Sequence, residues 1–407
     1  MSRGNRLLVF WIIFGFLAVL MCLCIWQSTS KTLVFGASED AKVGNQTAQQ
    51  EEGMENQAAQ ELLEDMDLQE VQQMIDEMLG EDTFSLGQAV QDLMAGKEMI
   101  NKEKVLDMVW QIVFSQLDRQ KDLLVQAMVL ALLAAMFTNF SQVFDKGQVG
   151  EMGFYIVYLL LFTLLLNGFY NLSGQLEEKI SGLLELMKGL TPAYYLAVAA
   201  SSGVASAAMF YQLVLILVSL IQWTILTFVL PCTGLYVLLE MVNFLSKEEI
   251  LSRLAGLIRT LVEWSLKTLM GVLIGMQVIR GLVAPVIDSL RRTTLGKTAS
   301  VIPGVGNALN AVTEIVLASA VLVRNCLGAA FLAILLIWGV SPLIQYGICS
   351  LLYKFAAALV QPVSDKRLVG CLGVMGEGCS LLLKILYTTE ILCMITIEVL
   401  AASFGGG

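Results

Sequence analysis

Long apolar segments follow one another from residue 123 to the end of the chain, and this succession restricts the fold more than any other feature. A helix needs about 20 apolar residues to cross a bilayer. The clearest segments of that kind are 123–140, 152–170, 210–230, 266–287, 315–340, 343–360 and 381–402. No charged residue occurs between Lys188 and Glu240, which leaves room for two crossings. The pattern predicts an all-α polytopic membrane protein with about seven or eight transmembrane helices in this region.

The composition agrees with a membrane protein and divides the chain into two parts. Hydrophobic residues make up 57% and charged residues 15% of the chain, against about 45–50% and about 25% in soluble domains. The net charge of −10 is uneven, because residues 38–122 hold 20 of the 35 acidic side chains and only 6 of the 25 basic ones. We therefore expect an acidic region before a polytopic membrane domain at 123–407.

The first 30 residues have the features of an export signal. Arg3 and Arg6 precede an uncharged stretch at 7–26, and small residues follow it. Such a segment is typical of a signal peptide, but it is also long enough to be a retained signal anchor. Either alternative places the following residues outside the cytoplasm. The stretch 31–60, rich in Gln and Glu with few large apolar residues, is expected to be an acidic linker.

Residues 61–122 show the spacing of amphipathic helices, each with one apolar stripe and an acidic back. Leu63, Val71 and Ile75 belong to the first stripe and Val90 to a later one. We expect an exported helical region that hides these stripes in its own core. The alternative is a docking surface for another extracytoplasmic protein or for the membrane face.

Several kinds of chemistry are excluded by missing residues. The chain has no histidine, so histidine nucleophile activation, histidine metal ligation and histidine proton relays are impossible. Its eight cysteines lie in apolar runs without a CxxC pair, and no glycine-rich nucleotide motif or nucleophile elbow occurs. The sequence thus predicts a non-enzymatic protein with no cofactor, no metal site and no affinity for nucleic acid.

Basic turns and prolines suggest an arrangement of the membrane domain. Residues 288–298 and 365–367 carry basic clusters and are candidate cytoplasmic loops, whereas 183–190 and 247–263 have the mixed pattern of interfacial helices. Pro192 and Pro303 are 111 residues apart, as are Pro231 and Pro342. This offset is the basis of a hypothesis of two structural repeats at 190–300 and 301–402, as in many transporters. Coincidence is the alternative, since proline is frequent in membrane helices.

Small residues and isolated charges are the candidate sites within the apolar segments. Gly271 and Gly275 form a GxxxG pattern, and Gly203 lies in a similar run, so all three are expected to allow close helix packing. Charges within or beside apolar segments are Lys267, Arg280, Glu314, Arg324, Glu377, Lys384, Glu390 and Glu398. For Glu314, Arg324 and Glu390, deepest in their segments, a polar path or subunit contact and plain interhelical pairing are both open. Glu263 and Lys267, four residues apart, are a candidate pair at a helix start.

One stretch resembles a known family. The run Ile-Pro-Gly-Val-Gly-Asn-Ala at 302–308, with Pro303, Gly304 and Gly306, continues through Glu314 to Arg324, Asn325 and Gly328. It is similar to the signature region of the stage III sporulation protein AE family. Thr191-Pro192 and Gln361-Pro362 add to the resemblance, which extends from about Phe84 onward.

The resemblance implies a membrane component of the complex that links mother cell and forespore during endospore formation, required for late forespore gene expression. It implies a multi-pass protein of the mother-cell membrane around the engulfed forespore, with its exported region facing the intermembrane space. The implied partners are other membrane and ring-forming proteins of the same operon, a cytoplasmic ATPase, a forespore membrane protein and the lipid bilayer. Two alternatives from the residues themselves remain. One is a stand-alone secondary transporter with a midplane site between two repeats, and the other is a scaffold whose buried charges only hold helices together.

Overall fold

The structure is a computed structural model. It describes residues 148–202, 204–245, 251–298, 306–362 and 364–402, and parts of 54–136, chiefly 57–63, 68–79, 85–95 and 109–119. The predicted signal segment, the linker up to residue 53 and most of the predicted span 123–140 lie outside the described residues. Within the described residues all regular structure is helical, as the periodicity predicts.

Eight α-helices make up the main part of the described fold, and two of them are very long. They are α1 (Gln69–Leu79), α2 (Leu86–Met94), α3 (Gln148–Ser202), α4 (Val204–Gln222), α5 (Leu230–Leu245), α6 (Ser252–Thr298), α7 (Gly306–Val360) and α8 (Lys366–Ala402), with a π-helical segment at Trp223–Val229. Helices α3 and α7 have 55 residues each. At about 1.5 Å per residue each is roughly 80 Å long, far more than the roughly 30 Å hydrocarbon core of a bilayer.

Four described helices are long and apolar enough to cross a membrane, at Tyr155–Ala199, Tyr211–Leu245, Ile315–Val360 and Lys366–Glu398. The expected boundaries are wrong in three places. The spans at 315–340 and 343–360 form one helix, α7, and the stretches 183–190 and 288–298 continue α3 and α6 instead of forming an interfacial segment and a loop. The turn expected near 365–367 is present, because α7 ends at Val360 and α8 begins at Lys366.

Prolines are accommodated inside helices, which explains why they are poor boundary markers here. Pro192 lies within α3 and Pro342 within α7. A proline removes one backbone hydrogen bond and crowds the preceding turn, but neighbouring helices and local changes in helix type compensate for this in membrane proteins. Before Pro231 the helix widens to the π form at Trp223–Val229, a deviation associated with proline and with inserted residues.

Contacts between side chains fix the directions of the long helices. Helices α3, α6 and α8 run parallel to one another, and α5 and α7 run the opposite way. The contacts that establish this are Tyr158 with Met241 and Cys371, Phe169 with Gly378, Leu172 with Tyr346, Tyr194 with Arg324, Ser350 with Gly376, and Arg259 with Glu377 followed by Glu263 with Lys384. The turn at 361–365 therefore lies at the end of the bundle where α6 starts, and Thr298 lies toward the other end. The two basic clusters cannot both face the cytoplasm if each of these helices crosses once.

Helices α1 and α2 pack on the long helices at the end away from the turn 361–365. Helix α1 contacts α3, and α2 contacts α7. Val71, Ile75 and Val90 are buried there, and Met74 lies over Gly189 of α3. The long helices of the same chain therefore cover these apolar stripes. Neither of the two arrangements expected from the sequence, an internal core of the region 61–122 or a docking surface for a partner or the membrane face, includes this packing.

Candidate functional site: polar contacts among the long helices

A network of charged side chains joins α5, α6 and α8. Arg259 Nη1 lies 2.7 Å from Glu377 Oε2, and the Tyr236 hydroxyl donates a hydrogen bond of 2.8 Å to the same oxygen. The Arg259 guanidinium also lies over the Tyr236 ring, 5.9 Å from its centre. A carboxylate, a guanidinium and an aromatic ring from three helices are therefore held together.

Glu263 extends this network by one helical turn. Its Oε1 atom is 3.7 Å from Arg259 Nε and 2.9 Å from Lys384 Nζ. Burial raises the pKa of Glu263, but the hydrogen bond and charge of Lys384, with the charges of Arg259 and Lys267, outweigh it and place that pKa below its usual value. Burial likewise lowers the pKa of Arg259, and the charge of Glu377 reverses the effect and raises it. We call Tyr236, Arg259, Glu263, Glu377 and Lys384 the charge network.

The charge network is only half covered by the described part of the chain. The side chains of Arg259 and Glu377 are 41% and 45% exposed. Glu377 is 11 residues beyond the start of α8 at Lys366, which places it roughly 16 Å along the helix. Charges at such a depth are costly against lipid and mark a water-filled cavity, a partner or a functional path.

A second polar group lies between α3 and α7. Lys179 Nζ donates a 2.6 Å hydrogen bond to Gln345 Oε1, and Gln345 Nε2 donates one of 3.1 Å to Gln175 Oε1. The ammonium lies 5.8 Å from the centre of the Tyr346 ring. The charge of Lys179 is thus accommodated by amides and an aromatic face.

Glu390 is the most deeply buried carboxylate of α8. It is 6% exposed, and it occupies the space beside Gly339 of α7, where a Cβ atom would collide with its Oε1. Among the described residues no hydrogen bond or ion pair to this carboxylate is present. Glu398, eight residues further along α8, is exposed, so burial distinguishes the two carboxylates.

Arg324 is fully buried in α7, and Tyr194 donates a 3.0 Å hydrogen bond to its backbone carbonyl. Its Nη2 lies 3.5 Å from Oδ1 of the exposed Asn325. Gly339 follows Arg324 by 15 residues in the same helix, which separates Arg324 from the Glu390 region by roughly 22 Å. The structure therefore does not combine Arg324 and Glu390 in one site.

The remaining predicted site residues have different outcomes. Gly306 is the first residue of α7, and Glu314 lies in the same helix. A Cβ atom added at Gly271 or Gly275 would meet no heavy atom within 4 Å, so their expected packing partner does not lie in the described part of this chain. Pro303, Gly304 and Gly203 lie outside the described residues.

The charge network itself is what sequence reasoning misses. The sequence identifies Glu377 and Lys384 as charges in apolar surroundings, but it pairs Glu263 with Lys267 instead of Lys384 and Arg259. A signal is present, since Arg259 and Glu263 are four residues apart and Glu377 and Lys384 seven apart, which places each pair on one helix face. Among the described residues no group of three potential metal ligands occurs, and the thiol pair of Cys349 and Cys379 has its sulfurs 3.3 Å apart.

Comparison with known proteins gives one consistent result. The sequence model of the family described as "Stage III sporulation protein AE" matches residues 84–404. A relative of that name in Bacillus subtilis (strain 168) is 23% identical over 313 residues, which cover 77% of this chain and 78% of the relative. No solved structure matches. The match includes α2 to α8 and hence every contact described above between long helices.

Proposed function

The chain belongs to the stage III sporulation protein AE family, and on this premise we propose that it is a non-enzymatic membrane component of the complex that connects mother cell and forespore. Its role in sporulation follows from the family. The observation that supports a membrane component is the set of four described helices long and apolar enough to cross a bilayer. In this proposal the complex is channel-like and is required for endospore development and late forespore gene expression.

We place the protein in the mother-cell membrane around the forespore. The predicted export signal places the region 61–122, and with it α1 and α2, in the intermembrane space. Because α1 and α2 pack at the end of the bundle away from the turn 361–365, we assign that turn, followed by Lys366 and Arg367, to the cytoplasmic side. The basic cluster at 288–298 then lies toward the exported side, against the positive-inside tendency. A cytoplasmic ATPase would approach the end with the turn, and ring-forming proteins and a forespore membrane partner would approach the end with α1 and α2.

The polar contacts suggest how such a component could work. The charge network and the buried Glu390 are charged or ionisable groups within long apolar helices, and such groups commonly line paths or hold movable helices. We propose that the charge network fixes α6 on α5 and α8, while Glu390 holds α8 against α7.

Deletion of the gene in its sporulating host tests this proposal. We expect engulfment to be completed and late forespore transcription, followed with a fluorescent reporter, to fail. The intact gene should restore transcription, and so should Glu398→Gln, because Glu398 is exposed on the same helix as Glu390. Normal late forespore transcription in the deletion strain would contradict the proposed function.

A second candidate function, a stand-alone secondary transporter, is favoured by one observation. The apolar helix Tyr211–Leu245 is followed by α6, just as α7 is followed by α8. The two pairs of helices are offset by about 111 residues, the distance between Pro231 and Pro342. This order is what two repeats at 190–300 and 301–402 would produce. A vegetative solute-uptake defect in the deletion strain, with normal spores, would favour the transporter.

A further inference from the structure

Within the described residues, two helices of the bundle each have one long face on which no other helix packs. On α3 the exposed and half-buried positions of this face recur every three or four residues along the helix. They include Ile156, Leu160, Gly174, Glu178, Gly182 and Glu185. On α6 they include Leu257, Leu261, Trp264, Lys267, Gly271 and Gly275. We call Gly174, Glu177, Glu178, Gly182 and Glu185 the acidic face of α3, and Trp264, Lys267, Gly271 and Gly275 the glycine face of α6.

Both faces can be approached closely by another helix. A Cβ atom added at Gly174, Gly182, Gly271 or Gly275 would meet no heavy atom within 4 Å. Glycines at such spacing allow helix backbones to come close in membrane proteins. Helices α3 and α6 do not pack extensively on each other within the described residues, since α6 lies against α5 and α8. Within the described part of one copy, both faces are therefore uncovered at the same time.

The two faces lie at the same height in the bundle. Phe169 of α3 is beside Gly378 of α8, and the adjacent Glu377 binds Arg259 of α6. Glu178 lies nine residues beyond Phe169, and Lys267 lies eight residues beyond Arg259. Because α3, α6 and α8 are parallel, this count places the two side chains about two residues apart in height, or about 3 Å along the axes. The same count gives a difference of about 3 Å between Gly182 and Gly271.

The charges of the two faces are complementary. Glu177, Glu178 and Glu185 are exposed, and no ion pair within the described residues involves them. Lys267 is exposed on the glycine face of α6. Toward the end of the bundle with the turn 361–365, exposed leucines continue both faces. Leu160 of α3 is 55% exposed, and Leu257 and Leu261 of α6 are 57% and 41% exposed. Two copies with the same orientation in one membrane could thus join acidic face to glycine face at matching heights.

We propose that the protein assembles head-to-tail with further copies of itself, the acidic face of α3 in one copy packing on the glycine face of α6 in the next. Such a heterologous contact closes into a ring when the rotation per copy divides a full turn, and otherwise continues as a chain. The inference depends on the long helices alone and not on the proposed role in sporulation, so either can fail without the other.

A photocrosslinking amino acid placed at Glu178 in the full-length membrane protein tests the contact. We expect a product of twice the monomer mass whose crosslinked peptide contains Trp264, Lys267 or Gly271 of a second copy. The same amino acid at Ile216, which is 65% exposed on α4, is the control and should give no such product. Crosslinks to lipid alone, to a different protein or to α3 of the second copy would overturn the proposal.

A charge exchange between two differently tagged copies tests the head-to-tail arrangement independently. Glu178→Lys and Lys267→Glu each place like charges at the contact, so copurification of one tag with the other should fall by roughly tenfold in each variant alone. Mixing the two variants should restore copurification, because each reversed face then meets a face of opposite charge. Both side chains are exposed, so the variants should fold, which size-exclusion chromatography of the monomer would verify. Unchanged copurification of the single variants, or no restoration on mixing, would contradict the proposal.

Discussion

Glu390 of α8 occupies the space that a side chain at Gly339 of α7 would need. A Cβ atom at position 339 would collide with the Glu390 carboxyl group, and Glu390 is 6% exposed. The missing side chain of Gly339 is therefore what allows a carboxylate to be buried between these antiparallel helices. The glycine and the carboxylate form one structural unit, although they are 51 residues apart in the sequence.

Gly339→Ala should destabilise the protein through this collision. Forcing an extra methyl group into a packed interior costs about 1–3 kcal/mol, and the thermal midpoint in detergent should fall accordingly. Combining it with Glu390→Ala removes the colliding group, so the double variant should be more stable than Gly339→Ala alone. Gly347→Ala is the matched control, because Gly347 is buried in the same helix with nothing within 4 Å of its Cβ position. Equal stability of Gly339→Ala and the parent protein would refute this packing.

The interaction between Arg259 and Glu377 should be modest in the isolated protein. Their side chains are 41% and 45% exposed, and ion pairs of such exposure contribute about 0.2–1 kcal/mol. A double-mutant cycle with Arg259→Met and Glu377→Gln, followed by thermal unfolding in detergent, measures this coupling energy. Tyr236→Phe is the control, since it removes a hydrogen bond to Glu377 but leaves the ion pair. A coupling energy above about 3 kcal/mol would mean that the pair is fully desolvated.

The contact between Glu263 and Lys384 should lose its stabilising effect in acid. The pKa of Glu263 lies below its usual value in the folded protein, where Lys384 outweighs the effect of burial. The stabilisation is therefore present above the unfolded carboxyl value of about 4.3 and is lost as the pH falls through the lower folded value. We expect the parent protein to be more stable than Lys384→Met at neutral pH and this difference to disappear in strong acid.

Thermal unfolding of both proteins between neutral pH and pH values below the folded pKa of Glu263 measures this effect. Lys366→Met serves as the control, because Lys366 is exposed at the start of α8, far from Glu263. A difference between parent and Lys384→Met that grows as the pH falls would show that Lys384 acts through some other contact.

The helical class, the presence of helices of spanning length and the family can be predicted from the sequence alone. The structure confirms that the described residues form helices, four of them long and apolar enough to cross a membrane, and the family match over 84–404 confirms the resemblance. These features depend on local composition and short motifs, which a single sequence displays directly. The predicted domain boundaries and the signal segment stay predictions.

Helix boundaries and long-range pairs cannot be obtained in the same way. Pro342 suggests the end of a span, but packing of α7 against α3 and α8 keeps the helix continuous through it. Arg259 and Glu377 are 118 residues apart, and nothing in the local pattern of either helix specifies the other. Such pairs arise from tertiary packing, so the sequence identifies the charges but not their partners.

The described cysteines should differ sharply in reactivity with a maleimide. Cys232 is half-buried, whereas Cys326, Cys349, Cys371, Cys379 and Cys393 are buried. Mass spectrometry after brief labelling of the folded protein should therefore show modification at Cys232 well before these five. Labelling in denaturant is the control and should reach all of them. Rapid modification of Cys349 or Cys379 in the folded protein would show that α7 and α8 separate readily.

The contact of Met74 with Gly189 predicts how α1 is held on α3. The Met74 sulfur lies 2.8 Å from the position that a Cβ atom of residue 189 would take, so a side chain there competes with Met74 for space. Gly189→Ala should have little effect, because the end of a methionine side chain adapts easily. Gly189→Leu should displace α1 and increase amide hydrogen exchange at Val71 and Ile75, which are buried in this contact. Adding Met74→Ala to Gly189→Leu should lower that exchange again by making room for the leucine. Equal exchange in the parent protein and Gly189→Leu would mean that α1 does not depend on α3 for its position.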